Sequence, residues 1–261
     1  MINFLTIGAD PEVFVFNKKL NQHVPVFGML GGTKNKPIPV EGPRKGFSVQ
    51  EDNVMAEYNI PPATNKKEFI EYNMFMLEAL SIFLPENCFI SQESFVKFSE
   101  KELSHPKAME FGCAPSINAY TLDVFEPLFD VSTSEFRAAG GHIHLGFKEH
   151  KCQETKLKLV QALDKTLGIR SYIEDFEKNP EINRFYSYGG FGNFRETDFG
   201  IEYRTTSNWW IKNSKTISEA YDLVQKAFKL VNNNDFEFNP NEIDLKIAKE
   251  INEKNLKLVN N

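Results

Sequence analysis

Four short segments place acidic, imidazole or guanidinium groups in the alternation of a β-strand, where residues two apart share a face. In GADPE, Asp10 and Glu12 share a side if the segment is extended, which Pro11 favours for the residue before it. In NVMAEYNI, Val54, Ala56, Tyr58 and Ile60 form an apolar side and Glu57 projects from the other. In HIHLGF, His142 and His144 oppose Ile143, Leu145 and Phe147, and in GIEYR, Glu202 and Arg204 oppose Ile201 and Tyr203. Solvation of one face of an antiparallel sheet accounts for any one of these strands. It accounts less well for a histidine pair flanked by Gly140, Gly141 and Gly146 in a chain with only 5 His. If the four ionic faces converge, they bring together Asp10, Glu12, Glu57, Glu202 and one or both histidines. Such an excess of carboxylate is costly unless cations neutralise it. Oxygen-rich ligands with one or two imidazoles suit Mg²⁺ or Mn²⁺, whereas structural zinc draws on cysteine.

Arginine usage points towards anions. Four of the chain's few arginines, Arg137, Arg184, Arg195 and Arg204, lie just before the histidine segment or within and beside YGGFGNFRETDFGIEYR. Guanidinium forks match phosphate and carboxylate oxygens, so metals with several arginines suggest a phosphorylated substrate or a nucleotide; surface salt bridges explain any one of them singly. The loop GMLGGTKNKP, with Lys34, offers backbone N–H groups and a point charge to an anion, although a glycine-rich turn explains it equally. It has no GK[ST] context, no GxGxxG follows a strand, and no GxSxG elbow is present. Cys113 in FGCAP reads as a small buried hydrophobe.

The elements that must position these groups follow from the pattern. INFLTIG, EVFVF and NVMAEYNI, the last ending at Pro61-Pro62, read as strands. A helix then starts at an Asn65/Glu68 capping box and carries Phe69, Tyr72, Met76, Leu80 and Phe83 up to Pro85. A second runs from Glu154 to Leu167 and stops at Gly168; a third begins near Thr216, with Glu219 completing its box, and carries Ile217, Ala220, Val224, Ala227 and Val231. Asn239 and Pro240 open a last helix, a C-terminal extension over 240–261. Strands come in groups separated by single helices, without βαβ alternation. The reading is one α+β domain over 1–261, with a mainly antiparallel sheet.

Composition sets the bounds. The chain has 261 residues, 41% hydrophobic, with 24 Phe and a formal charge of −6, enough for a sizeable core and neither disordered nor low-complexity. A mildly acidic chain has no long-range attraction for nucleic acid or an anionic membrane. The N-terminus lacks a basic n-region, and no apolar run approaches a membrane span, which points to the cytoplasm. Three cysteines, Cys88, Cys113 and Cys152, have no CxxC spacing and read as reduced.

Taken in order, GADPEVFVF, GMLGGTKNKP, QEDNVMAEYNIPPA, FGCAP, AAGGHIHLGF, YGGFGNFR and GIEYRTTSNWW resemble the phage-type amidoligases, carboxylate–amine ligases of the glutamine synthetase-like superfamily. The resemblance spans about residues 7 to 211. It implies a glutamine synthetase-like catalytic domain, a curved antiparallel sheet with helices on its outer face, and host cytoplasm as the compartment of a phage-encoded enzyme. It implies Asp10 and Glu12 as the early acidic pair, Glu57 as the acid of a second strand with Glu51 or Asp52 as its companion, and His142 or His144 as the metal-binding imidazole. Glu202 resembles the late metal carboxylate, and Arg195 and Arg204 resemble phosphate-contacting arginines. The implied reaction is ATP- and Mg²⁺-dependent: a carboxylate attacks the γ-phosphate, an acyl phosphate forms, and an amine displaces phosphate to give an amide. Its partners are small-molecule or peptide acids and amines, with sites that relatives can share between subunits. Two other readings compete, a phosphotransferase of the guanidino-kinase kind on the same fold and a non-catalytic nucleotide-binding phage protein.

Overall fold

The computed structural model describes residues 4–109, 116–124, 134–148, 152–178, 184 and 189–233. Within them the polypeptide builds an 11-stranded sheet and a separate two-stranded one, and every ladder is antiparallel. The strands are β1 (Phe4–Ala9), β2 (Glu12–Asn17), β3 (Gln22–Val24), β4 (Ile38–Pro39), β5 (Ser48–Asp52), β6 (Met55–Ala63), β7 (Cys88–Ser91), β8 (Phe95–Lys97), β9 (Ile117–Asn118), β10 (Phe136–Ala138), β11 (Ile143–Phe147), β12 (Asn193–Thr197) and β13 (Gly200–Tyr203). The long path runs β3-β2-β6-β1-β11-β13-β12-β9. β5 joins β6 and carries β4, β7 joins β2, and β8 pairs with β10 apart from the rest.

Three long helices, α1 (Lys66–Phe83), α3 (Gln153–Leu163) and α5 (Ser214–Asn232), pack on the apolar side of this sheet; the shorter α2 (Glu100–Leu103) and α4 (Ile169–Lys178) complete the set. Phe69, Tyr72, Met76 and Leu80 of α1, Leu159, Val160 and Leu163 of α3, and Ile217, Ala220 and Val224 of α5 form one core with Ile7, Val13, Val49, Tyr58, Ile143, Leu145, Ile201 and Tyr203. The period-2 apolar sides of the strands and the helical stripes are therefore two halves of one interior. On the other side of the sheet a smaller cluster of Phe14, Val54, Met55, Val96, Phe98, Leu103, Ala108 and Ala139 seats the β8–β10 ribbon and α2.

Three boundaries differ from the sequence reading. β6 does not end at Pro61-Pro62 but runs through both prolines to Ala63. The ladder with β1 shifts register between Ala9↔Ile60 and Ile7↔Ala63, and the irregularity accepts residues that cannot donate. The second helix does not stop at Gly168: it widens into a π turn over Asp164–Gly168 and continues as α4. Gly168 serves close approach, because a Cβ there would lie 2.4 Å from the Tyr203 hydroxyl. The third helix is capped by Asn213, whose side chain accepts from the Lys215 and Thr216 amides, while the Thr216 hydroxyl accepts from the Asn213 amide. At α1, Asn65 caps as expected, but Glu68 turns back to the Thr64 amide and hydroxyl. The helix expected from Asn239 and Pro240 and the FGCAP segment with Cys113 lie outside the described residues; Cys88 and Cys152 are free. No helix among the described residues is long and apolar enough to cross a membrane.

The π turn places Asp164, fully buried, against the helix-covered side of the sheet. Its carboxylate accepts from Tyr120 Oη (2.6 Å), Tyr203 Oη (2.6 Å), the Gly192 amide (2.7 Å) and Thr205 Oγ1 (3.2 Å). One anion thus ties the end of β13, the start of β12 and the turn after β9 to the helix layer. Burial outweighs those donors and lifts the carboxyl to about 7. In Asp164→Ala the Tyr203 hydroxyl and the Gly192 amide lose a partner in the interior, and Tyr120 and Thr205 each lose one bond, Thr205 keeping Gly190 O (3.0 Å), so urea unfolding should show a loss of about 3 kcal/mol or more. Tyr120→Phe, which removes one of those bonds, should cost about 1 kcal/mol on the same measurement.

Candidate active site

Strand register brings the four ionic faces together. Glu12 of β2 is the direct cross-strand partner of Glu57 in β6, and Glu57 in turn faces Gln50 of β5. In the other half of the sheet, Gly8, His144, Glu202 and Arg195 lie in one row across β1, β11, β13 and β12. The chain crosses from one half to the other at Asp10-Pro11. There the Asp10 amide donates to His142 O (3.4 Å), the Glu12 amide donates to Gly140 O (2.8 Å), and Glu12 Oε2 accepts from the Gly140 amide (2.6 Å).

The glycines beside the histidines are required by contact. A Cβ on Gly140 would lie 2.4 Å from His142 Nε2, and one on Gly141 would lie 2.2 Å from Ser207 O. The Gly141 carbonyl accepts from Trp210 Nε1 (3.0 Å), and its amide donates to Thr206 O (2.9 Å). The GGHIH segment is therefore packed face-on against TTSNWW, which fixes where both imidazoles start.

Two trios of ligand-type atoms result, each with its atoms within 4.8 Å of one another: Asp10, His144 and Glu202; and Glu12, Asp52 and Glu57. The first is nearly balanced in charge. His144 Nε2 lies 3.0 Å from Asp10 Oδ1; His142 Nδ1 lies 3.7 Å from the same oxygen and 3.6 Å from Glu202 Oε1. Glu202 Oε2 accepts from Arg195 Nε (2.7 Å) and contacts its Nη2, and Glu202 Oε1 is 3.3 Å from Arg204 Nε. Burial would raise Asp10, but His144, His142 and Arg204 outweigh it and hold the carboxyl below its ordinary value. Burial would depress His144, and the charge of Asp10 reverses the sign. His142, 3% exposed, is pushed well below the ordinary value by burial, so it is neutral.

The second trio is not balanced. Among the described residues, no ion pair is made by Glu12, Asp52 or Glu57. Burial, with the neighbouring acids, raises Glu12 to about 8 and Glu57 well above its ordinary value. Asp52 is raised as well, chiefly by burial, while Lys34 draws it the other way. Three carboxylates facing one another in a desolvated row either hold protons or hold a cation. All-oxygen ligands suit a hard divalent ion, and an oxygen-rich trio with one imidazole suits Mg²⁺ or Mn²⁺.

The remaining expected site residues fall elsewhere. Of the two alternatives beside Glu57, Asp52 joins the acids, whereas Glu51 points to the opposite face. Its Oε1 accepts from the Leu30 and Gly31 amides (3.1 Å each), and its Oε2 pairs with Lys107 (2.6 Å). The GMLGG loop does cradle an anion, and the anion is Glu51. Lys107 and the loop amides outweigh the cost of burial and hold its carboxyl below the ordinary value. Lys34, on the exposed loop beyond, stays near Asp52. Arg184, 1% exposed, donates to the carbonyls of Ala139, Thr205 and Thr206 (2.8 to 3.0 Å), stapling GGHIH to TTSNWW from within. Arg137 donates to Ser134 O, Phe136 O and Ala108 O and to Asn53 Oδ1. Both guanidinium groups are engaged with the fold. Gln50 and Asn193, two buried residues of the ionic face, carried no signal in the sequence beyond their place in an alternation.

These features define a mixed α+β protein with a large antiparallel sheet whose ionic face gathers acids, imidazoles and arginines. Residues 132–244 match the family described as phage phiEco32-like COOH.NH2 ligase-type 2. This is the phage amidoligase family that the ordered motifs resemble, and its description implies a carboxylate–amine ligase. The matched stretch carries His142, His144, Arg195, Glu202 and Arg204. No curated protein matches the chain.

The raised acids give a pH dependence of definite sign. A carboxyl whose folded value lies above its unfolded one stabilises the fold fully at low pH, and that contribution is lost as pH rises through the folded value. For Glu12 the window runs from about 4.5 to about 8. Without divalent ions the melting temperature should therefore fall across that range. Mg²⁺ or Mn²⁺ should restore it more strongly near the top of the window than near pH 5. Glu12→Gln should melt higher than the wild type in EDTA at the alkaline end and show a smaller response to either ion.

Proposed function

We propose that the protein is an ATP- and Mg²⁺-dependent carboxylate–amine ligase of glutamine synthetase-like fold, with Mn²⁺ able to replace Mg²⁺, and that it makes an amide or peptide bond through an acyl phosphate. The observation that carries this reading is the pair of trios on one sheet face, beside Arg195 and Arg204. Glu12, Asp52 and Glu57 would hold one cation, and Asp10, His144 and Glu202 a second, with His142 packed against them. Cations held there supply positive charge for phosphate oxygens and for the charge that develops during phosphoryl transfer.

The chain's own groups do the rest by position. Glu202 aims the Arg195 fork across the β12–β13 ladder, and Arg204 follows it on the same face, so both guanidinium groups stand where a phosphoryl group beside the trios would lie. In the first step an oxygen of the substrate carboxylate bonds to the γ-phosphorus as the bond to the ADP oxygen breaks. In the second, the amine nitrogen bonds to the acyl carbon, and inorganic phosphate departs with the former carboxylate oxygen. The amine nitrogen gives up a proton in this step, which the departing phosphate or water takes. No nucleophilic serine or cysteine is needed, in keeping with the absence of any such motif.

The test is incubation with Mg²⁺, ATP and pooled amino acids, polyamines and peptides, followed by mass spectrometry and phosphate release. Amide product with ADP and phosphate in equal amounts is the expected outcome. A phosphorylated acceptor, or ATP binding with no turnover, would overturn it in favour of a phosphotransferase or a binding protein. Glu57→Gln and Glu202→Gln, which keep side-chain volume, should each lower turnover by about 100-fold or more with the circular dichroism spectrum unchanged.

A further inference from the structure

β7 pairs with β2 and, among the described residues, with no other strand. The Lys18 amide donates to Asn87 O (2.9 Å), so by the alternation of an antiparallel ladder Phe89 and Ser91 spend their main-chain groups on Phe16 and Phe14. Cys88, Ile90 and Gln92 turn theirs to the outer edge. Two of those groups are already occupied: the Cys88 amide donates to Pro85 O (3.0 Å), and the Gln92 carbonyl accepts from Lys178 Nζ (2.8 Å). The Cys88 carbonyl, both main-chain groups of Ile90 and the Gln92 amide are left.

The edge is accessible to a neighbour. A groove of about 620 Å³ runs beside it, with Ile90, Ser91 and Gln92 on one wall and Met74, Glu78 and Ser81 of α1 on the other. The strand, CFIS, carries neither the charge nor the proline with which exposed edges commonly refuse a second strand. Large apolar side chains are exposed around it: Phe89 on the strand, 45% exposed, Met74 and Ile82 on α1, and Leu20 in the turn that lays Lys18 Nζ over the Phe89 ring (4.0 Å).

The unspent groups decide what fits. Opposite Gln92, whose carbonyl is taken, the matching residue is one whose own N–H is already spent. Opposite Cys88, whose N–H is taken, it is one whose carbonyl is already spent. β7 of a second copy, turned about a two-fold axis at Ile90, meets both conditions. Ile90 then exchanges two bonds with the partner's Ile90, and the Gln92 amide donates to the carbonyl of the partner's Cys88, once in each direction. The Phe89 ring faces the partner's Ser91 in a non-hydrogen-bonded pair, where side chains come closest. We propose that β7 is the interface of a two-fold dimer, in which two copies of this chain join their sheets edge to edge into one continuous antiparallel sheet.

The test is sedimentation of the full chain over a micromolar concentration series, with hydrogen exchange of the Ile90 amide read by NMR. The wild type should sediment as a dimer and protect that amide. Ile90→Pro removes a donor that no residue of its own chain uses, and Phe89→Lys places an ammonium in the contact. Each should raise the dimer dissociation constant about tenfold or more with the circular dichroism spectrum unchanged, and Phe89→Lys should expose the Ile90 amide to rapid exchange. If Ile90→Pro does not fold, Phe89→Lys, made at an exposed ring, still decides. A monomeric wild type overturns the proposal, including one whose Ile90 amide is protected, since another part of the same chain would then hold the edge. A dimer that either folded variant leaves intact overturns it as well.

Discussion

Glu12 and Glu57 sit directly opposite each other in an antiparallel ladder, and the register of the whole sheet decides that they must. A slip of one residue would turn Glu57 into the helix-packed core and bring Ala56 or Tyr58 to its place. The core forbids that slip, because Val13, Val49, Ala56 and Tyr58 are fully buried against α1 and its neighbours. Apolar packing on one face thus forces like charges together on the other. Asp10 and His144 are held by the same logic, through the pairing of Ala9 with Ile143 and Gly8 with His144. The repulsion among the acids is a consequence of the fold that only a cation or a proton relieves.

The two halves of the ionic face differ in how that relief is built in. Around Glu202 the chain supplies its own positive charge, in Arg195, Arg204 and the His144 imidazole. Around Glu57 it supplies none within ion-pair reach among the described residues, and a glutamine, Gln50, where a charge would otherwise stand. A protein that needed these acids only for structure would gain by replacing one of them with an apolar residue of similar size. A buried row of acids that costs the metal-free fold stability fits the cation site proposed for it.

The sequence made the ionic strands legible because period-2 alternation is local: Glu57, His144 and Glu202 needed nothing beyond their own neighbours to be assigned a face. Whether the faces met was a matter of long-range pairing, which no local pattern encodes. The resemblance to known ligases supplied it, and the register agrees. Arginine function was the least legible. Arg184 and Arg137 share the composition and neighbourhood of Arg195, but their donors are spent on carbonyls brought close by turns distant in sequence. Glu51 illustrates the same limit, since it is one residue from Asp52 and the pleat sends it to the opposite face, where the glycine loop closes on it. Gly168 looked like a helix stop because glycine often is one. Its actual reason, the Tyr203 hydroxyl, lies on a strand 35 positions later.

The helix side of the sheet bears on the ionic side through β12 and β13. Asp164 binds the Tyr203 hydroxyl and the Gly192 amide from below, and the residues adjacent to these two, Glu202, Arg204 and Asn193, project above. From the other edge, Arg184 and Trp210 clamp the GGHIH segment to the turn that follows β13. The β12–β13 pair that positions Arg195 and Arg204 is therefore bolted to the interior at both ends, while its middle presents charges to one side only. Guanidinium groups lose affinity for a defined phosphoryl geometry when their backbone can drift, because positioning is most of what a protein contributes to phosphoryl transfer. A buried carboxyl on the far side of the sheet is in this sense part of the reason the near side can hold charges in register.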